Sequence, residues 1–202
     1  TIVALAASGL FAFATTATAE TITVCANGCD FTSINDAIDA SSDGDVIQLA
    51  AETYFEGEQI DTDGKAITLR GVLDKAGEPA SVLDGSRAHR VLICQSGEGL
   101  GTVFDNLVIQ NGLASGELPD YRGGGMYNDG SSPTLTDCTF TNNSADFGGG
   151  MYNNISSPTL TNCTFMDNSA AVYGGGGMYN SNASTPTLTD CTFTNNSADY
   201  GG

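Results

Sequence analysis

The feature that most constrains this chain is a block written three times. "GGGMYNDGSSPTLTDCTFTNNSA" begins at Gly123, "GGGMYNNISSPTLTNCTFMDNSA" at Gly148 and "GGGMYNSNASTPTLTDCTFTNNSA" at Gly175. Met126, Met151 and Met178 lie 25 and 27 residues apart; Cys138, Cys163 and Cys191 lie 25 and 28 apart. A period of this size marks a solenoid or array. Gly-Gly-Gly and Pro in every copy exclude a helical repeat. The short runs "TLT" and "CTFT" alternate apolar with polar residues, as half-buried strands do. Three such strands per unit make one turn of a parallel β-helix, with "GGMYN" in a first sheet, "PTLT" in a second and "CTFT" in a third. The last residues, "ADYGG", open a fourth unit, and the first residue is Thr1 rather than Met. The expectation is a fragment with both ends missing.

Energetics require stacking. One coil buries about four apolar side chains at ~1.5–3 kcal/mol each, whereas ordering ~25 residues costs about 1–2 kcal/mol apiece in backbone entropy. A lone coil cannot fold; neighbours supply the hydrogen-bond ladder and a continuous core. Parallel strands lie ~4.8 Å apart, so like sits on like. Asn143, Asn168 and Asn196 are expected to form an amide ladder, and Phe140, Phe165 and Phe193 to stack inside. Cys138, Cys163 and Cys191 should form an inward column of reduced thiols, because their parallel side chains stand farther apart than the ~3.8 Å Cβ separation a disulfide prefers.

The first half is less regular. "TIVALAASGLFAFATTATAE" is apolar and ends in an A-x-A pattern, which reads as a partial secretory signal over residues 1–19, cleaved after Ala19. No second long apolar run follows, so the mature chain is expected not to be transmembrane. A cap is expected over 20–44. In it Cys25 and Cys29 can close a small loop, and Phe31, Ile34, Ala37 and Ile38 have helical spacing behind Thr32 or Ser33 as N-cap. Irregular early coils should occupy 45–122, and regular repeats 123–202. "DVIQLA" and "SVLDG" are expected to join the first sheet, "KAITLRG" and "NLVIQNG" the third, with "LASGELPDY" as an outward loop. The formal net charge is −18, and all six Lys and Arg lie at or before Arg122. That balance excludes nucleic acid and anionic membranes as partners.

The repeats resemble the right-handed parallel β-helix repeats of the pectate-lyase-like superfamily. More narrowly, they resemble polymorphic outer membrane protein repeats of chlamydial type. "GGGM" stands three times where that family has "GGAI"-like motifs, and Phe140–Asn143, Phe165–Asn168 and Phe193–Asn196 match its "FxxN". All three copies depart from the pattern with Gly as the third motif residue. The resemblance covers 123–202 well and 30–122 loosely. It implies an all-β right-handed parallel solenoid used for surface display and adhesion, to which the residues themselves add three sheets and a short N-terminal capping helix.

Chemistry-bearing residues are sparse. Asp137, Asp167 and Asp190 recur on the repeats without Lys or Arg beside them, and Asn162 interrupts the Asp137/Asp190 pair. A turn role, bonding their own backbone, fits them better than an inverting pair of carboxyls. His89 is the only histidine, with Asp84 its nearest carboxylate partner. No cofactor is called for, Ca²⁺ being the one weakly supported candidate. Asn154, Asn162 and Asn182 sit in N-x-S/T sequons. The surface feature that stands out is Thr134/Thr136, Thr159/Thr161 and Thr187/Thr189, a candidate ligand-binding ladder of outward threonines. The expected function is therefore a secreted or surface-displayed, non-catalytic β-solenoid for adhesion or glycan contact. The alternatives are a polysaccharide-active lyase or hydrolase with catalytic coils outside this fragment, and an ice-binding threonine face.

Overall fold

Alternating residues in the repeats do become strands, and their registers put each residue on its counterpart. In the computed structural model, residues 18–116, 121–172 and 174–199 are described. The secretory-signal reading of residues 1–19 therefore lies almost wholly outside them. Every strand pair in the sheets is parallel, for example Met126–Met151–Met178, Leu135–Leu160–Leu188 and Phe140–Phe165–Phe193. The first sheet runs from Ile60–Asp61 and Leu92–Cys94 through Met126–Asp129, Met151–Asn154 and Met178–Ser181. The second has seven strands, ending in the three "TLT" segments, and the third has six, ending in "TFT", "TFM" and "TFT". A fourth, minor sheet of two-residue strands (Leu113–Ala114, Ser144–Ala145, Ser169–Ala170, Ser197–Ala198) joins the expected three.

The early coils differ from the expected sheet assignment. Val46–Leu49 and Thr68–Arg70 both belong to the second sheet, in line with Val103–Asp105 and the "TLT" strands. Ser81–Asp84 belongs to the third sheet, beside Leu107–Gln110, which is placed as expected. The second sheet also begins earlier, with Thr21–Val24. The reason is coil length. Val46 and its partner Thr68 are 22 residues apart, but Thr68 and Val103 are 35 apart. Without a repeated motif, apolar strands of similar composition carry no mark of the sheet they join.

Inside, columns of like residues form one core. Met126, Met151, Leu135, Leu160, Phe140, Phe165, Cys138 and Cys163 are all buried. The Phe140–Phe165 and Phe165–Phe193 rings stack with centroids 4.7 Å apart and planes 3° from parallel. The third glycine of each motif has a steric cause. A Cβ on Gly125 would lie 2.5 Å from the Gly150 carbonyl oxygen and 2.9 Å from the Phe140 ring. An alanine there is excluded unless the backbone of the next coil shifts.

The helix Ile34–Ala40 packs Ile34, Ala37 and Ile38 onto the core. Ser33, not Thr32, is its N-cap, its hydroxyl accepting from the Asp36 N–H. A second cap comes from another coil: Glu56 accepts from the N–H groups of Ile34 and Asn35 and from the Ser33 hydroxyl. Cys25 and Cys29 are disulfide-bonded, whereas Cys94, Cys138, Cys163 and Cys191 are free thiols.

Candidate functional site

The threonine ladder lies on the outer face of the second sheet. Thr134, Thr159 and Thr187 stand in one file, and Thr136, Thr161 and Thr189 in the next. Thr134, Thr136, Thr159 and Thr161 are half-buried; Thr187 and Thr189 are exposed. Thr134 donates its hydroxyl to the Leu100 carbonyl at 3.2 Å. The first file extends through the early coils as Thr21, Val46, Thr68 and Val103, so seven β-branched residues lie in register. Its neighbour does not continue as threonine over the same span. Gln48, Arg70 and Asp105 occupy it, the last two joined by an ion pair of 2.9 Å.

Around the corner, on the third sheet, Thr139, Thr164 and Thr192 make a third unbroken file. Met166 interrupts only the fourth, between Thr141 and Thr194. Asp137, Asn162 and Asp190 occupy the corner itself with φ of 51°, 53° and 53°. These residue types tolerate the left-handed region, which is where a turn puts them. Their side chains, however, ladder between coils: the Asn162 amide donates to the Asp137 carboxylate.

A compact hairpin from an early coil turns this corner into a cleft. Leu73 bridges Pro79, and the Asp74 carboxylate accepts from the N–H groups of Glu78 and Ala76. Those two bonds hold its carboxyl below the usual range. The tip, Gly77–Pro79, lies over Asp137, Thr139, Asn162 and Thr164 and leaves a polar cleft of about 190 Å³. This cleft presents hydroxyls, an amide and carboxylates, and the coils from Gly123 onward contain neither Lys nor Arg.

Other sequence candidates are placed as follows. His89 Nδ1 is 2.7 Å from the Arg90 carbonyl oxygen. Asp84 accepts from the Ser86 N–H and the amides of Gln110 and Asn111 at 2.8, 2.8 and 2.9 Å. Burial raises its carboxyl, but those bonds outweigh it and leave a net lowering. The cysteine column faces the core, with Cys138 Sγ donating to the carbonyls of Thr136 and Phe104 at 3.3 and 3.5 Å. Burial pushes the Cys138 thiol far up, which removes it as a nucleophile. Among the described residues, no three His, Cys, Asp or Glu side chains are grouped to hold a metal ion.

Two features escaped the sequence reading. Asn128 and Asn153, wholly buried, form an inner ladder with Asn180, each Nδ2 donating to the next Oδ1 at 2.8 Å. Outside the same sheet, Tyr127, Tyr152 and Tyr179 form a column against Phe147, with the Arg90 guanidinium 5.1 Å from the Tyr127 ring and that of Arg122 5.0 Å from Tyr152. The signal was present: "MYN" recurs in all three copies.

Parallel coils in register, a capped first end and outward polar files define a right-handed β-solenoid with its surface chemistry on flat sheet faces. Residues 23–202 match the family model described as the right handed beta helix region, and the chain belongs to that family. The sequence matches none of the curated proteins with which it was compared. Among the described residues, no helix is long and apolar enough to cross a membrane.

Proposed function

We infer that this chain is a secreted or surface-displayed, non-catalytic β-solenoid that contacts glycans through its threonine face and the adjoining polar cleft. The observation that carries this reading is the register of three threonine files beside the Asp137–Asn162–Asp190 corner. Alternate outward residues on a strand are ~6.6–7 Å apart and coils ~4.8 Å apart. That grid offers a regular array of hydroxyl donors and acceptors, and the hairpin tip closes one side of the adjoining corner. The resemblance of "GGGM" and "FxxN" to surface adhesin repeats supports the same reading. The test is a glycan array run beside reducing-sugar and unsaturated-product assays. Binding that Thr161→Tyr abolishes is expected, with no product. Product release would replace this reading with a polysaccharide-active enzyme.

The seven-residue β-branched file favours one second reading, ice binding, since a flat row of methyls and hydroxyls orders water. Against it, the two-file threonine grid spans only the last three coils, because Arg70 and Asp105 occupy the adjacent file earlier. Thermal hysteresis that Thr161→Tyr removes would support it; a folded sample without hysteresis would end it.

A further inference from the structure

Three thiols stand in one file inside the solenoid, and each is held in the same way. Cys138 Sγ donates to the Thr136 carbonyl at 3.3 Å and, on the preceding coil, to the Phe104 carbonyl at 3.5 Å. Cys163 repeats the pattern with Thr161 and Leu135 at 3.4 and 3.7 Å. Cys191 repeats it with Thr189 and Leu160 at 3.4 and 3.7 Å. Phe104, Leu135 and Leu160 are themselves in register. The sulfurs are therefore copies of one another, displaced by one coil. The phenylalanine rings two residues on measure that displacement: Phe140–Phe165 and Phe165–Phe193 centroids are 4.7 Å apart.

Volume alone does not call for sulfur here. The register that pairs Val108 with Thr139 puts Leu107 in the same file one coil earlier, and Ser81 before it; both are wholly buried. We propose that the Cys138–Cys163–Cys191 file binds a soft divalent metal ion of the mercury(II) kind, held in line between the sulfurs of successive coils. A metal–thiolate bond is about 2.3 Å long, so a linear sulfur–metal–sulfur unit spans about 4.6 Å. The coil step of 4.7 Å matches it without moving either strand. Parallel side chains on stacked coils also set the file axis across each Cβ–Sγ bond, the direction from which a thiolate takes a metal.

Coordination number and charge make the site selective. Two thiolates suit an ion that takes two ligands in line. Zinc takes four, and among the described residues no three His, Cys, Asp or Glu side chains are grouped to supply them. Calcium and magnesium need oxygen ligands. A divalent ion leaves a neutral bis-thiolate in the apolar core, whereas a monovalent ion such as copper(I) would leave a buried negative charge, which desolvation penalises. Binding exchanges two S–H bonds for two S–metal bonds; the two protons pass to solvent, and nothing is oxidised or reduced. Cys191 is only part-buried, so the Cys163–Cys191 pair is the one an ion reaches first.

The test does not involve the threonine face. The folded chain, without reductant so that Cys25 and Cys29 stay paired, is titrated with Hg²⁺ and separately with Zn²⁺. The mercury-loaded protein is then measured by X-ray absorption. Two sulfur ligands at about 2.3 Å are expected, with two protons released per ion. Tm should rise, because an ion that bridges neighbouring coils binds only the folded state. Zn²⁺ at the same concentration should neither bind nor raise Tm. Cys163 belongs to both pairs, so Cys163→Ala should remove the two-sulfur signature. Cys94 is a buried thiol whose partner in register is Asn128, so Cys94→Ala should leave the signature intact. Should Cys163→Ala fail to fold, the absorption spectrum and melting of the parent still decide. One sulfur per ion, a Tm lowered by Hg²⁺, an equal response to Zn²⁺, or a two-sulfur site that survives Cys163→Ala in a folded chain would each overturn the proposal.

Discussion

Asn168 shows what one residue does in this fold. Its Nδ2 donates to the Phe140 carbonyl and the Asn196 Oδ1, while its Oδ1 accepts from the N–H and Nδ2 of Asn143. Asn168→Ala leaves several buried groups unpaired at ~1–3 kcal/mol each. Its cost should rival the ~3–5 kcal/mol expected for Phe165→Ala. Urea unfolding of both variants checks this; a loss below about 1 kcal/mol at Asn168 would mean that the ladder is dispensable. Ile155 is the opposite case. It sits at φ 49° with 66% of its surface exposed, one coil on from Gly130 at φ 59°. A β-branched residue is poorly suited to that region. Ile155→Asn should stabilise the protein by about 1 kcal/mol, raising Tm by about 2–4 °C. A lower Tm would show that the isoleucine contributes contacts worth more than its strain.

At the scale of elements, the capping helix depends on a neighbour. Ser33 alone satisfies Asp36, but Ile34 and Asn35 need Glu56. Glu56→Ala should cost about 1–2 kcal/mol, and hydrogen exchange should quicken first at the amides of Ile34 and Asn35. Unchanged protection there would assign the helix's stability to its apolar face alone. The cysteine column gives a second test. Thiol labelling of denatured, unreduced protein should report four free cysteines, Cys94, Cys138, Cys163 and Cys191, with Cys25 and Cys29 appearing only after reduction. Cross-links between Cys138 and Cys163 would break the register that stacks them.

For the whole molecule, acid sensitivity follows from a few carboxylates. Burial would raise the Glu98 carboxyl, but the Ser131 hydroxyl and the N–H groups of Gly64 and Ser96 more than offset it, and it lies below its ordinary value. The N–H groups of Glu20 and Ser42 lower Asp45 in the same way. A group lowered on folding contributes stability above its unfolded pKa and loses it as pH falls through the folded one. Asp61, raised by burial, works in the opposite direction. Tm should therefore hold near neutrality and fall below about pH 4. Glu98→Gln should melt lower at pH 7, with the gap to the parent closing in acid; a gap independent of pH would mean that the charge of Glu98 is not what its donors hold.

The sequence by itself determined the coil and most of what it stacks. A period of 25–28 residues with Cys, Phe and Asn at fixed places can be satisfied only by like packing on like, and those three columns are in the structure as read. The threonine files were legible for the same reason. What lacked a repeated mark was decided by tertiary structure. The early strands took their sheets from coil lengths that vary between 22 and 35 residues. The polar cleft needed a hairpin at 72–80 to fold back over Asp137 and Asn162, far along the chain. The depression lined by Phe55, Asp84 and Asn111 needed three coils to converge. A repeat encodes its neighbours in its own period, because each coil touches only the next. Sites built from irregular coils depend on distances across the fold, which no local pattern records.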